Sequence, residues 1–136
     1  MMKKVRLLVL CGIIVLGICG CGKGFESEIV GNTFVYKVES NDSTFGDIIT
    51  SHTLIFEKDN KGTSKIDIDF TGEFKEYAEN HISYDTRHTS TNYTYTLDEK
   101  DNTVSFTVDD DTYNLRYDNE TKCLIDTEKE SIKWCK

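Results

Sequence analysis

An all-β fold, an antiparallel meander of about eight strands forming a small closed or nearly closed barrel, is what the sequence predicts. Three observations predict it. From residue 33 onward apolar side chains recur at every second position in short runs, the periodicity of strands that bury one face. The runs are joined by polar stretches of a few residues, enough for a hairpin and far short of the crossover of roughly a dozen residues that parallel neighbours need. Each run alternates apolar with polar along its length, so every strand has a dry face and a wet one, and a barrel meets that demand without leaving unpaired edges.

In chain order, Phe34, Tyr36 and Val38 form the first run, Leu54 and Phe56 the second, and Ile66, Ile68 and Phe70 the third. Tyr93, Tyr95 and Leu97 follow, then Val104, Phe106 and Val108, then Tyr113, Leu115 and Tyr117, and finally Leu124 with Ile132 and Trp134. The turns between them are Asp59-Asn60-Lys61-Gly62, Asp98 to Asn102, Asp109-Asp110-Asp111, Asp118 to Thr121 and Thr127 to Glu130. The stretch from Gly72 to His88 is less regular, and Glu73 to Glu79 fits either two helical turns or a further strand. Residues 23–32 are Gly-rich and polar and read as a tether, which puts the barrel domain at 33–136.

At a typical domain size of about 100 to 150 residues, the chain holds one domain and a short appendage, and a multidomain enzyme is excluded. Of its 136 residues 38% are hydrophobic and 29% charged, too apolar for a disordered chain. Acidic residues number 24 against 16 basic, and setting aside Lys3, Lys4 and Arg6 at the start leaves 13 against 24, a net charge of −11. A body that acidic repels phosphate backbones, so no nucleic-acid partner is expected, while cationic partners stay open.

The sequence holds no Gly-rich phosphate loop, nucleophile elbow or Cys–His arrangement, and it assigns no catalytic residue and no cofactor. Glu79, His81, Asp85 and His88 carry metal-ligand chemistry, but neither a strand nor a helix puts all four on one face, and a solvated loop is the expectation. The carboxylates of Asp98, Glu99 and Asp101 and of Asp109 to Asp111 lack the spacing and glycine of a calcium loop and read as turn residues.

Residues 1–22 read MMKKVRLLVLCGIIVLGICGCG, a basic start followed by an apolar run from Leu7 to Ile18 that is 12 residues long. A membrane-spanning helix needs roughly 18 to 20 such residues, so the run fits a secretion signal. Its end, Ile18-Cys19-Gly20-Cys21, resembles the lipobox of bacterial lipoproteins, in which a small residue precedes a cysteine that carries a diacylglycerol thioether. The resemblance implies a signal peptide over 1–20, lipidation at Cys21, and a mature protein anchored in the cell membrane and facing the extracytoplasmic side. Two acyl chains at about 0.8 kcal/mol per buried methylene suffice for a stable anchor.

Of the five cysteines, Cys11 and Cys19 then leave with the signal and Cys21 is lipidated, which leaves Cys123 and Cys135. In an extracytoplasmic setting such a pair predicts a disulfide. A turn centred on Lys129 sets Cys123 opposite Cys135, Leu124 opposite Trp134 and Ile125 opposite Lys133, with Leu124 and Trp134 inside and the two thiols side by side outside. Zinc would need more ligands near the pair than the sequence supplies.

The layout resembles the small lipocalin-like domains of many bacterial lipoproteins. The matching pieces are Gly31-Asn32-Thr33-Phe34 at the first strand, Phe56 to Thr63 as a Phe-x-x-Asp-x-x-Gly hairpin, the tyrosine-rich Tyr93-Thr94-Tyr95, and Trp134-Cys135-Lys136 at the end. The resemblance implies binding rather than catalysis. Interior aromatics either fill such a barrel or line a cavity, and on the second reading Tyr36, Tyr93, Tyr95, Tyr113, Tyr117 and Trp134 are the candidate ligand-binding residues. The expected function is a non-enzymatic, membrane-anchored module that binds a small apolar or amphipathic ligand. The alternatives are an acidic inhibitor or immunity protein that intercepts a cationic protein such as a lysozyme or toxin, and a structural envelope component.

Overall fold

The structure, a computed structural model, describes residues 24–136. Eight strands form a closed antiparallel barrel in which each strand pairs with its sequence neighbours and the last returns to the first. They are β1 (Thr33–Asp42), β2 (Gly46–Phe56), β3 (Lys61–Phe70), β4 (His88–Asp98), β5 (Thr103–Val108), β6 (Asp111–Asp118), β7 (Cys123–Asp126) and β8 (Lys133–Cys135). The expected meander is the observed one.

Residues 23–32 were expected to be a tether, and here the structure differs. Residues 24–29 form a helix, α1, in which Ile29 is fully buried and Phe25 and Val30 pack on the core. Phe25 and Ile29 are spaced by one helical turn, so a single face meets the barrel. Gly31 ends the helix at φ 80°, a left-handed conformation that costs glycine little, and the Asn32 amide donates to the carbonyls of Ser27 and Glu28. The folded domain therefore includes α1.

Glu28 fixes this helix to the end of the barrel where the chain also finishes. Its carboxylate accepts from the Tyr117 hydroxyl at 2.9 Å and from Lys136 Nζ at 2.6 Å, and the same ammonium lies over the rings of Phe34 and Tyr117. The Lys136 contact, followed by that of Tyr117, holds the Glu28 carboxyl below the usual range.

The strands differ in length, and the difference shapes the molecule. β1 to β4 have 10 or 11 residues each, whereas β7 and β8 have 4 and 3. At the α1 end six of the eight strands contribute to a packed core of Phe34, Leu54, Phe56, Tyr95, Val104, Leu115 and Leu124, each at most 2% exposed. At the other end the long strands overhang the short ones and form a wall above the mouth. β2 begins at Gly46, well before the apolar residues Leu54 and Phe56 that predict it, because its first half belongs to this wall and carries Thr50, Ser51 and His52.

The undecided stretch 72–88 is helical. α2 (Phe74–His81) buries only Ala78, and α3 (Tyr84–Arg87) starts at Ser83, whose hydroxyl accepts from the Thr86 amide. Phe74 sits against Phe45 and Phe70 with ring centroids 4.6 and 5.3 Å apart, which anchors α2 to the wall.

The turns explain the density of aspartates. Asp42, Asp98 and Asp126 each accept from the backbone amides two and three residues on, and Asp118 accepts from the amide of Glu120. These side chains replace missing main-chain bonds at the strand ends. Asp59-Asn60 and Asp109-Asp110 have φ between 49° and 69°, the paired left-handed geometry that suits a twisted hairpin.

Cys123 and Cys135 are disulfide-bonded, and the register between β7 and β8 is Cys123 to Cys135, Leu124 to Trp134 and Ile125 to Lys133, as the last hairpin predicts. Closing a loop of this size removes unfolded-chain entropy worth about 2 to 3 kcal/mol.

Gly62 supplies the sharpest packing constraint. It lies opposite Tyr93, whose ring crosses it, and a Cβ there would come within 2.4 Å of the ring and 2.6 Å of the Ile55 carbonyl oxygen. Gly62→Ala is expected to lower unfolding free energy by about 2 to 4 kcal/mol, because the backbone carbonyl cannot move aside with the ring. Gly24→Ala, where nothing lies within 4 Å, serves as the control and should be neutral or mildly stabilising. Urea unfolding of both variants checks the difference, and equal midpoints would contradict it.

Candidate functional site

The six aromatics expected to line a ligand cavity fall into two groups. Tyr93 donates its hydroxyl to the Ile55 carbonyl at 2.9 Å, Tyr95 donates to the Glu57 carbonyl at 2.6 Å, and Tyr117 donates to Glu28. Burial raises all three phenol pKa values, that of Tyr117 to about 12 with help from the Glu28 hydrogen bond. These hydroxyls bolt strands and helix together.

Tyr36, Tyr113 and Trp134 are placed differently. They meet on the inner face near the mouth, with Tyr36 and Trp134 ring centroids 5.6 Å apart and Tyr113 and Trp134 6.1 Å apart. Phe106 stacks beneath Tyr113 at 5.0 Å and continues into Tyr93 at 4.5 Å, which ties the group to the packed half. Trp134 is 3% exposed, and its indole Nε1 is, among the described residues, the buried side-chain polar atom left without a hydrogen-bond partner. A buried donor left unmade costs roughly 1 to 3 kcal/mol, a cost that an acceptor supplied from outside the chain would offset.

A fourth member, His52, was missed in the sequence. It pairs with Tyr36 across β1 and β2, and its ring lies 5.6 Å from Trp134 and 6.0 Å from Tyr113. Nε2 is 2.8 Å from the hydroxyl of Ser64, itself buried, and burial lowers the histidine pKa, which favours the neutral ring. The signal that identifies it is the alternation of β2 carried one step further back from Phe56 and Leu54.

The walls around this quartet are unlike one another. On β1 and β3, Val38 and Ile66 have the same inward parity as the buried Phe34 and Ser64, yet they are 41% and 40% exposed because the opposite strands end below them. On β6 and β7, Asp111 has the parity of Tyr113 and Asp126 that of Leu124. Tyr113 registers these carboxylates, since its phenol pKa is raised first by burial and then by Asp111, Asp126 and Asp109.

Clefts elsewhere lie on the outside. One of about 460 Å³ borders α1 and is lined by Phe25, Glu28, Glu99 and Tyr117, and one of about 370 Å³ lies under α2 between Phe70, Lys75, Ala78 and Arg87. Neither is lined by Tyr36, His52, Tyr113 or Trp134. His81 stacks on Tyr77 and His88 bonds Asp67 at 2.6 Å, and no cluster of three or more metal-ligating side chains occurs among the described residues. Cys21 lies outside the described residues.

The division of the tyrosines has a measurable consequence. Tyr93→Phe and Tyr95→Phe should each cost about 1 kcal/mol of stability by orphaning a main-chain carbonyl. Tyr36→Phe and Tyr113→Phe should stay within about 0.5 kcal/mol of the parent. Urea denaturation of the four variants reads the contrast, and a larger loss at Tyr36 than at Tyr93 would contradict it.

Comparison with known proteins gives no family model that matches the chain, no match among curated proteins and none among solved structures.

Proposed function

We propose that the protein is a lipid-anchored, extracytoplasmic binding module that holds a small amphipathic ligand in the open half of its barrel. The observation that carries this reading is the unpartnered, buried indole of Trp134, surrounded by Tyr36, His52 and Tyr113 beneath the exposed apolar surface of Val38 and Ile66. A ligand with an acceptor oxygen and an apolar body would satisfy the indole and cover the wall. We read the role as one of binding. The anchor rests on the likeness of residues 18–21 to a lipobox.

Trp134 is the chain's single tryptophan, so its emission reports on this site alone. Titration with dodecanol, below its solubility limit, should shift and saturate the emission, and Tyr36→Ala with Tyr113→Ala should abolish saturation while leaving the unfolding transition cooperative. Unchanged emission across a panel of amphiphiles would refute ligand binding at the mouth.

For the anchor, Cys21→Ala should prevent incorporation of radiolabelled palmitate and release the protein from the membrane fraction, whereas Cys19→Ala should retain both. Labelling that survives Cys21→Ala would refute lipidation there.

A second reading, interception of a cationic protein, is favoured by the net charge of −11 outside the first six residues and by Tyr77 and Tyr84, which are exposed on α2 and α3. Exposed aromatics of this kind anchor protein interfaces.

A further inference from the structure

We infer that the ligand of the barrel mouth is an organic cation, an ammonium or guanidinium group carried on an apolar body. The inference rests on the mouth being the binding site and specifies the charge that it selects.

The argument begins with where the carboxylates are. Asp109, Asp110 and Asp111 form the turn between β5 and β6, and Asp126, Glu128 and Glu130 begin and line the turn between β7 and β8. Antiparallel order puts both turns at the open end, beside each other, and Lys129 is the one basic residue within them. Among the described residues none of these six carboxylates has a cation within ion-pair distance; the ion pairs there join Glu28 to Lys122 and Lys136, and Asp67 to His88. Asp111 and Asp126 have inward parity, and Asp126 is held in place because its Oδ1 accepts from the amides of Glu128 and Lys129.

Turn chemistry accounts for Asp109, Asp110 and Asp126 by itself. The second observation is the aromatic floor that these groups border. Tyr36, His52, Tyr113 and Trp134 turn their rings at 51° to 86° to one another, so a guest above them meets both ring faces and edges. Aromatic faces attract a cation, most strongly where carboxylates stand close by and water is thinned. The orphaned Trp134 donor lies within the same group, and the apolar wall of Val38 and Ile66 faces the acidic one across the mouth. An anionic head would meet the six carboxylates and gain only the indole. A cationic head gains the carboxylates and the rings, and its body covers Val38 and Ile66.

The test compares three probes of equal chain length, dodecyltrimethylammonium, dodecyl maltoside and dodecanoate, each below its micelle concentration and read by Trp134 emission. The cation should bind about tenfold more tightly than the neutral probe, and dodecanoate more weakly than both. Asp111→Asn with Asp126→Asn, which keeps an acceptor oxygen for the turn, should remove the preference, and added salt should reduce it. If all three probes bind alike, the charge selection is overturned and the mouth remains a ligand site; a preference that survives the double substitution overturns its assignment to Asp111 and Asp126. If dodecanoate binds best, the inference is reversed. If none of the probes changes the emission, both the inference and the reading beneath it fail.

Discussion

Cys135 is bonded to Cys123 on one side and supplies the residue that pairs with Val35 on the other, so the closure of the sheet passes through a strand of three residues. Such a strand has too few ladder bonds to hold its place alone, and its neighbours compensate. Trp134 fills the core beside it, the disulfide ties it to β7, and Lys136 reaches Glu28 on α1. Those three attachments fix the seam, and the seam fixes Trp134. The residue with the unmade hydrogen bond is therefore fixed by the same device that shuts the barrel, which is the preorganisation that the proposed binding role asks of it.

The interior is divided by strand length. Where all strands are present, aromatic edges meet aromatic faces around Phe56, which touches Phe34, Tyr93, Tyr95 and Phe106 at 5.1 to 5.9 Å. Pairs of this kind add roughly 0.5 to 1.5 kcal/mol each beyond burial, and they leave the closed half no room to exchange contents. Above them the short strands stop, and the same alternation that buries Phe34 leaves Val38 in water. Stability and the proposed binding thus fall in different layers of one barrel, divided near the level of His52.

The meander, its turns and the register of the last hairpin were legible because period-two alternation and hairpin length determine them locally. Leu124 facing Trp134 follows from counting outward from a turn. Three features were not legible, each for a physical reason. The helix at 24–29 rests on two apolar residues, Phe25 and Ile29, amid glycines and charges, and only the barrel end supplies the surface that makes their spacing count. His52 is polar, so a search for apolar alternation passes over it although its parity is that of Leu54. The roles of the tyrosines depend on acceptors far away in sequence, 38 residues for Tyr93 and Tyr95 and 89 for Tyr117, and nothing near those tyrosines announces them.

The bond between Glu28 and Lys136 brings both ends of the folded chain to the closed end of the barrel. Cys21 precedes Gly24 by three residues, a reach of about 10 Å at full extension. If Cys21 carries the lipid, the barrel stands on its sealed base, with the mouth turned away from the bilayer and its acidic rim as far from anionic headgroups as the domain allows. The geometry then favours traffic from the aqueous side: a guest arrives from the medium rather than out of the membrane beneath.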